Sequence, residues 1–85
     1  MVKSDLAPAF GAVLRRHRQA KSITQEKLSE SADVDVKMIR MVERGTRNPS
    51  INLADSLAHG LGVSLTQLIG EAEELRRKGR TPKNN

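Results

Sequence analysis

The chain contains no cysteine, tryptophan or tyrosine, and its one aromatic residue is Phe10. Without cysteine it can form neither a disulfide framework nor a thiolate site, so helix packing must stabilise it, and the composition suits a reducing cytoplasm. Without aromatic side chains it lacks a stacking platform for single-stranded nucleic acid, which excludes RNA-recognition-motif and OB-fold modes of binding.

Long apolar runs and catalytic residue patterns are also missing. No apolar run approaches the length that spans a bilayer, and the first ten residues lack the apolar stretch of a signal peptide. His17 and His59 stand in no metal-ligand or catalytic-triad spacing, and the serines have no partnered base. We therefore expect a cytoplasmic protein that is not an enzyme, with no metal, cofactor, membrane partner or evident small-molecule ligand.

Positive charge is concentrated in one half of the chain. The 85 residues are 36% apolar, which suffices for one small domain, and the net charge is +5. Residues 15–47 hold nine Lys or Arg against five Asp or Glu, whereas residues 51–70 hold a single charge, Asp55. A polyanionic partner at the basic half is favoured.

Residues 24–45 predict two short helices joined by a tight turn. The first begins at Thr24, whose hydroxyl can cap it, and ends at Ser31. The second begins with Asp35 as its N-cap and ends at Arg44, with Gly45 as a left-handed terminator. Only three residues separate the helices, so they must cross steeply, as in a helix-turn-helix.

Apolar spacing indicates the inner faces of these two helices. Leu28 and Ala32 lie four apart on the first, and Ile39 and Val42 lie three apart on the second. The opposite face of the second helix carries Val36, Lys37, Arg40, Met41 and Arg44. Such a cationic face suits the DNA major groove, although charge alone favours an ordinary solvated helix.

Three segments in a fixed order carry a family resemblance: TQEKLSESA, IRMVERGTRNPS and LADSLAHGLGVSLTQL. Over roughly residues 6–69 the chain resembles the phage repressor and Cro type of helix-turn-helix regulators, also called the xenobiotic-response-element family. The resemblance implies an all-α, compact, lambda-repressor-like domain of five helices whose third helix enters the major groove. It also implies a bacterial repressor or other transcriptional regulator that binds double-stranded DNA as a homodimer on a pseudo-palindromic operator.

The resemblance also assigns roles to individual residues. Base-facing positions correspond to Val36, Lys37, Arg40 and Met41. Phosphate contacts are expected from Gln25, Arg44, Thr46, Arg47 and Asn48. Arg18 aligns with the family arginine that pairs with a glutamate at the end of the recognition helix, here Glu43. Two departures stand out: Asp33 replaces the usual turn glycine, and Asp35 with Val36 replaces the usual Ser, Thr or Gln.

The remaining segments complete the predicted domain. Residues 1–5 are expected to be flexible, with Asp5 capping a first helix that runs to about Ala20. Residues 6–70 form the helix-turn-helix domain; Ser50 and Ser64 cap its last two helices, and Gly60 with Gly62 end the fourth. Residues 71–85 are expected to extend a charged helix to about Lys78, followed by a disordered tail.

The fifth helix has more apolar residues than one small core requires. A homodimer through the fourth and fifth helices would use this surplus, namely Val63, Leu65, Leu68 and Ile69. A restriction-modification controller protein, a phage-type repressor and a small plasmid regulator all fit this pattern. The alternative is an antitoxin or other protein-interaction module with secondary DNA binding, although residues 71–85 leave little surface for a separate partner.

Overall fold

The computed structural model describes residues 4–79, which form five helices and no strand. The helices are α1 (Leu6–Ala20), α2 (Gln25–Ala32), α3 (Val36–Arg44), α4 (Ile51–Leu61) and α5 (Leu65–Arg77). The predicted all-α architecture of five helices is confirmed, and α2 with α3 form the helix-turn-helix.

Most helix ends follow the local sequence signals. The side chains of four N-cap residues each accept a hydrogen bond from a backbone N–H, at 2.8 to 3.0 Å: Thr24, Asp35, Ser50 and Ser64. Helices α3 and α4 end at Gly45 and Gly62, whose φ angles of 76° and 73° lie in the left-handed region. These predictions are therefore confirmed.

Two predicted helix ends are wrong. Asp5 precedes α1 but its carboxylate caps nothing, because its backbone (φ −117°, ψ 29°) departs from the extended geometry of an N-cap. The hydroxyl of Ser4 instead accepts a long hydrogen bond of 3.4 Å from the N–H of Leu6. Gly60 lies within α4 rather than ending it, since that helix continues to Leu61.

The core is built from the faces that apolar spacing predicted. Leu28 and Ala32 of α2 and Ile39 and Val42 of α3 are all buried. Around them lie the other fully or nearly fully buried apolar side chains, Ala9, Phe10, Val13, Leu14, Ala54, Leu57, Ala58, Leu61, Leu68 and Ala72. All five helices therefore share one hydrophobic core.

Two glycines allow helices to approach closely. A Cβ added at Gly11 of α1 would lie 2.0 Å from the carbonyl oxygen of Val42, so α1 packs directly on the backbone of α3. A Cβ added at Gly60 would lie 2.7 Å from the Cβ of Ala32, so α4 packs equally tightly on α2. Gly60 is thus a packing residue within its helix.

The last helix crosses residue 70, where the predicted domain gives way to its charged helical extension. Helix α5 continues through Gly70 to Arg77, and Ala72 is fully buried in the shared core. The predicted end of this helix near Lys78 is confirmed, because Lys78 is its C-cap. The expected tail from residue 80 and the first three residues lie outside the described part of the chain.

A polar cluster joins α5 to α1. Arg16 and His17 each contact Oε1 of Glu71 at 2.9 Å, and the Gln67 side chain donates to Oε2 at 3.0 Å. Partial burial raises the pKa of Glu71, but the hydrogen bonds from His17, Gln67 and Arg16 outweigh it and lower that pKa to about 2. The cluster therefore favours the ionised carboxylate and ties the two helices together.

Candidate nucleic-acid interface

The turn between α2 and α3 is fixed by local hydrogen bonds. Asp33 adopts the left-handed conformation (φ 56°, ψ 48°) that the family usually gives to glycine, which its short polar side chain tolerates. The N–H of Val34 donates to the carbonyl of Ser29, and the Ser29 hydroxyl donates to the carbonyl of Val34. The turn therefore holds the two helices at a defined angle.

Helix α3 presents a polar outer face opposite the buried Ile39 and Val42. Lys37, Arg40 and Arg44 are exposed on it, at the three- and four-residue spacing of one helical surface. Val36 and Met41 are half-buried at its margins. The structure thus brings the four predicted base-facing residues onto the outer part of this helix, two of them exposed and two half-buried.

The carboxylate of Asp35 begins this face. One of its oxygens accepts a 2.8 Å hydrogen bond from the N–H of Lys37, so the negative charge lies at the positive end of the α3 dipole. Asp35 stands where the family usually has Ser, Thr or Gln. Because its carboxylate accepts this hydrogen bond, it still caps the start of α3.

Arg18 and Glu43 form a shielded ion pair that joins α1 to α3, as the resemblance implied. The guanidinium donates to both Glu43 oxygens, at 2.7 and 3.0 Å, and also to the carbonyl of Ile23 at 2.8 Å. Only 12% of the Arg18 side chain and 3% of the Glu43 side chain are exposed. The hydrogen bond to Glu43 raises the pKa of Arg18, which favours the charged guanidinium in this bidentate contact.

Gln25 also contacts this ion pair. Its side-chain N–H donates to Oε1 of Glu43 at 3.0 Å, which connects the first residue of α2 to the end of α3. Sequence reasoning assigned Gln25 to a phosphate contact alone. The structure adds a bracing contact that depends on the crossing of α2 and α3, which the sequence does not specify.

A second ion pair lies on the outer surface of the helix-turn-helix. Nη2 of Arg40 donates to Oε2 of Glu26 at 3.2 Å, and the two side chains are 48% and 66% exposed. The sequence predicts a DNA contact for Arg40 but not for Glu26. The only feature that marks Glu26 in the sequence is its position in the first turn of α2, where a carboxylate is favoured by the helix dipole. The pair connects the predicted base-reading arginine to the neighbouring helix.

The loop after α3 carries the other predicted phosphate contacts. Arg47 and Asn48 are exposed, and within residues 4–79 neither Arg44 nor Arg47 forms a salt bridge. Thr46 differs, because its N–H and its hydroxyl both donate to the carbonyl of Met41, at 3.0 and 3.2 Å. In this structure Thr46 caps the end of α3 rather than offering a free donor.

An apolar groove lies beside this loop. It encloses about 470 Å³ and is lined in part by Leu6, Phe10, Ile51, Leu65 and Ile69. Ile51 is 80% exposed, and it is the one large apolar side chain of the described chain with such exposure. Ile51 lies on a different face of α4 from the buried Leu57 and Leu61. This position outside the apolar spacing of the helix could have identified it from the sequence, but the sequence analysis did not single it out.

The predicted dimer contacts Val63, Leu65, Leu68 and Ile69 differ in how they lie relative to this groove. Leu65 and Ile69 line it and are half-buried, while Val63 is half-buried outside its lining. Leu68 is fully buried in the core of its own chain, so its prediction as a dimer contact is wrong. It faces inward because it shares the core-facing side of α5 with Ala72, four residues on.

In residues 4–79 no helix is both long and apolar enough to cross a membrane. Across the same residues, no three or more His, Cys, Asp or Glu side chains are grouped so as to hold a metal ion.

Comparisons with known proteins identify the same architecture. A family model described as helix-turn-helix matches residues 14–68. The control protein C.MunI from a Mycoplasma species is 29% identical over 72 residues, covering 84% of this chain and 97% of that protein.

Solved structures of two regulators share the fold of this chain. The clp gene regulator ClgR from Corynebacterium glutamicum superposes with a TM-score of 0.84 at 31% identity, covering 92% of this chain and 83% of that one. The restriction-modification controller protein C.Esp1396I gives a TM-score of 0.80 at 28% identity, covering 89% and 99%. The relatives are regulatory DNA-binding proteins of the lambda-repressor-like fold.

Proposed function

The chain belongs to the helix-turn-helix family of DNA-binding transcriptional regulators, and from this premise we propose that it binds a specific pseudo-palindromic operator as a homodimer. Restriction-modification controller proteins are among the proteins that it resembles, so control of a restriction-modification locus is the proposed role. It acts as a binding protein without catalysis, on DNA in the bacterial cytoplasm.

The observation that carries the proposal is the outer face of α3. Lys37 and Arg40 project from it beside the apolar Val36 and Met41, and the turn and the Arg18–Glu43 pair fix the helix on the domain. Arg40 can donate two hydrogen bonds to guanine O6 and N7, and Lys37 can donate to the same edge. The apolar pair suits thymine methyl groups, so half-sites should contain a guanine with a thymine nearby.

The flanking residues supply affinity without sequence preference. Arg44 at the end of α3 and Arg47 on the loop after it are exposed cations, and Asn48 offers an amide donor on that loop. Such groups bind phosphates and fix the position of the domain along the duplex. Gln25 can reach a phosphate while retaining its bond to Glu43, because its second amide hydrogen remains available.

Dimerisation is proposed to use the apolar groove and Ile51. A side chain of that size and exposure is stabilised by burial against another apolar surface, and Leu65 with Ile69 provides one in each copy. Val63 is proposed at the edge of the same contact. A two-fold dimer places two α3 helices about 34 Å apart, one turn of the duplex, on the same side of DNA.

Selection of binding sites from random duplex DNA tests this function. We expect recovery of an inverted repeat whose half-sites are centred about one helical turn apart. Recovery of no common sequence, with binding that depends only on salt concentration, would rule out an operator-specific regulator. The proteins encoded beside the gene provide a second test, since an adjacent endonuclease or methyltransferase supports the controller role and an adjacent toxin contradicts it.

A further inference from the structure

The exposed ion pair between α2 and α3 carries a role beyond general DNA binding. We propose that Glu26 is a specificity-determining residue, which acts by holding the guanidinium of Arg40 in the orientation that reads one base pair. The inference rests on the proposed function and names a residue on α2 that controls discrimination by α3. It starts from the 3.2 Å contact between Arg40 Nη2 and Glu26 Oε2.

This pair is placed for recognition rather than for stability. Both side chains are about half exposed or more, and such solvated pairs contribute little to folding. The braces that hold the two helices are elsewhere: the Gln25–Glu43 bond and the hydrogen bonds of the turn. Removing Glu26 should therefore leave the helix-turn-helix intact.

The remaining donors of Arg40 are sufficient for a guanine. A guanidinium has five N–H groups, and the bond to Glu26 uses one of them. The carboxylate restrains a long flexible side chain before DNA arrives, which lowers the ordering cost of a bidentate contact. The ordering cost is lowered only for bases that the restrained guanidinium can reach, so the gain in affinity depends on the DNA sequence.

The same carboxylate disfavours binding at other sequences. Glu26 is 66% exposed on a surface that faces a polyanion in the proposed complex, so its charge opposes phosphate approach at every site. At the preferred site the held Arg40 offsets this repulsion. Elsewhere the repulsion remains, and the ratio of specific to non-specific affinity increases.

The test uses the full chain with two duplexes of equal length, the selected operator and a scrambled sequence, at several salt concentrations. Glu26→Ala should lower the ratio of operator to scrambled affinity about five- to tenfold, mainly by raising the scrambled affinity and relaxing one base position. Glu26→Gln keeps an acceptor for Arg40 without the charge, so its ratio should lie between those of Glu26→Ala and the unsubstituted chain.

Glu30→Ala is the matched control. Glu30 is an exposed carboxylate one helical turn along α2, so its removal changes the net charge equally. It should raise both affinities together and leave the ratio and the base preference unchanged. Thermal unfolding should show equal melting temperatures for the Glu26 and Glu30 variants, which separates discrimination from stability.

A double-mutant cycle with Arg40→Ala decides whether Glu26 acts through that arginine. If it does, Glu26→Ala changes the ratio in the unsubstituted chain and has no further effect on the ratio once Arg40 is absent, although both affinities still rise together. Additive effects, or a Glu26→Ala ratio equal to that of Glu30→Ala, overturn the proposal. If the unsubstituted chain itself shows no preference for the operator, the proposed function fails instead, and the two failures are thereby distinguished.

Discussion

At the scale of single residues, the arginines on and beside α3 have different expected roles. Arg40 projects from the proposed base-reading face, whereas Arg47 lies on the exposed loop after it. Replacing Arg40 with Ala should cost about 1 to 3 kcal/mol on the operator and relax one base position. Replacing Arg47 with Ala should weaken all sequences alike and reduce the salt slope by about 1.

Competition binding against operator and random DNA measures both effects. The assignment of roles is wrong if Arg40→Ala keeps the original ratio of the two affinities while Arg47→Ala changes it. Arg44 provides a second comparison, because its expected behaviour matches that of Arg47.

The shielded Arg18–Glu43 pair should act on stability rather than on base preference. Arg18→Ala leaves a carboxylate that is 3% exposed without its main partner, so we expect a loss of about 2 to 4 kcal/mol in the free energy of unfolding. Glu43→Ala should have a similar effect, and the double variant should cost less than the sum. Denaturant unfolding measures all three, and additive losses would mean that the two residues are not coupled.

The lowered pKa of Glu71 predicts how the free energy of unfolding depends on pH. Its pKa is lowered in the folded chain to about 2 from an ordinary value of 4.5, so its contribution is complete above pH 4.5 and decreases as pH falls towards 2. Glu71→Gln should therefore cost about 1 to 2 kcal/mol at pH 7, allowing for solvent screening, and the difference should shrink below pH 4.5.

Denaturant unfolding between pH 2 and pH 7 checks this prediction, with Glu73→Gln as the control. Glu73 is an exposed carboxylate on the same helix, so its removal should produce no comparable difference at neutral pH. A Glu71→Gln curve parallel to that of the unsubstituted chain across the whole range would contradict the prediction.

At the scale of helices, the three glycines within helices should respond to alanine in different ways. Gly11→Ala places a Cβ 2.0 Å from the backbone oxygen of Val42, so α1 and α3 must separate, at about 2 to 4 kcal/mol. Gly60→Ala meets the side chains of Ala32 and Leu28 and should cost about 1 to 3 kcal/mol. At Gly70 no atom lies within 4 Å, so alanine should stabilise α5 by about 0.5 to 1 kcal/mol.

Thermal unfolding of the three variants should therefore give melting temperatures in the order Gly70→Ala, Gly60→Ala, Gly11→Ala, from highest to lowest. Because the substitution is chemically identical, differences among the variants report the space around each glycine. Equal melting temperatures would contradict the close approach of α1 to α3.

Local signals made the helices predictable, while contacts between helices were less so. Caps such as Thr24 and Ser64 depend on residues three positions away, and the sequence displays those neighbours directly. The role of Gly11 depends on the backbone of α3, and the charge cluster at Glu71 joins residues 54 and 55 positions apart. Nothing in the spacing along one helix indicates where another helix crosses it.

In the candidate site, too, some residues could be predicted from the sequence and others could not. The outer face of α3 follows from helical periodicity, so Lys37 and Arg40 could be named from sequence. Glu26 could not, since its contact with Arg40 requires the angle between α2 and α3. Arg18 and Glu43 were paired only through family resemblance, which carries three-dimensional information that a single sequence lacks.

At the scale of the whole molecule, the exposed Ile51 should determine association. Ile51→Lys places a charge in the proposed contact of both copies, so the dimer should weaken at least tenfold while the fold is retained. Asn52→Lys adds the same charge at the neighbouring exposed position, outside the groove lining, and should have little effect. Sedimentation equilibrium at micromolar concentrations measures both.

A monomeric unsubstituted chain, with and without operator, would contradict the dimer. So would an Ile51→Lys variant that associates as strongly as Asn52→Lys.

The contact between α1 and α5 also bears on how the protein is made. The helix-turn-helix is complete once the ribosome has passed Arg44, but Leu68 and Ala72 of α5 belong to the same core as α1. Since a chain leaves the ribosome from its N-terminus, that core remains open while α4 and α5 are added, for a few seconds at about 5–20 residues per second. A truncated product ending before Leu65 would contain the recognition helix without the helix that closes the core. Translation thus delivers a folded DNA-binding surface only after α5 has been added.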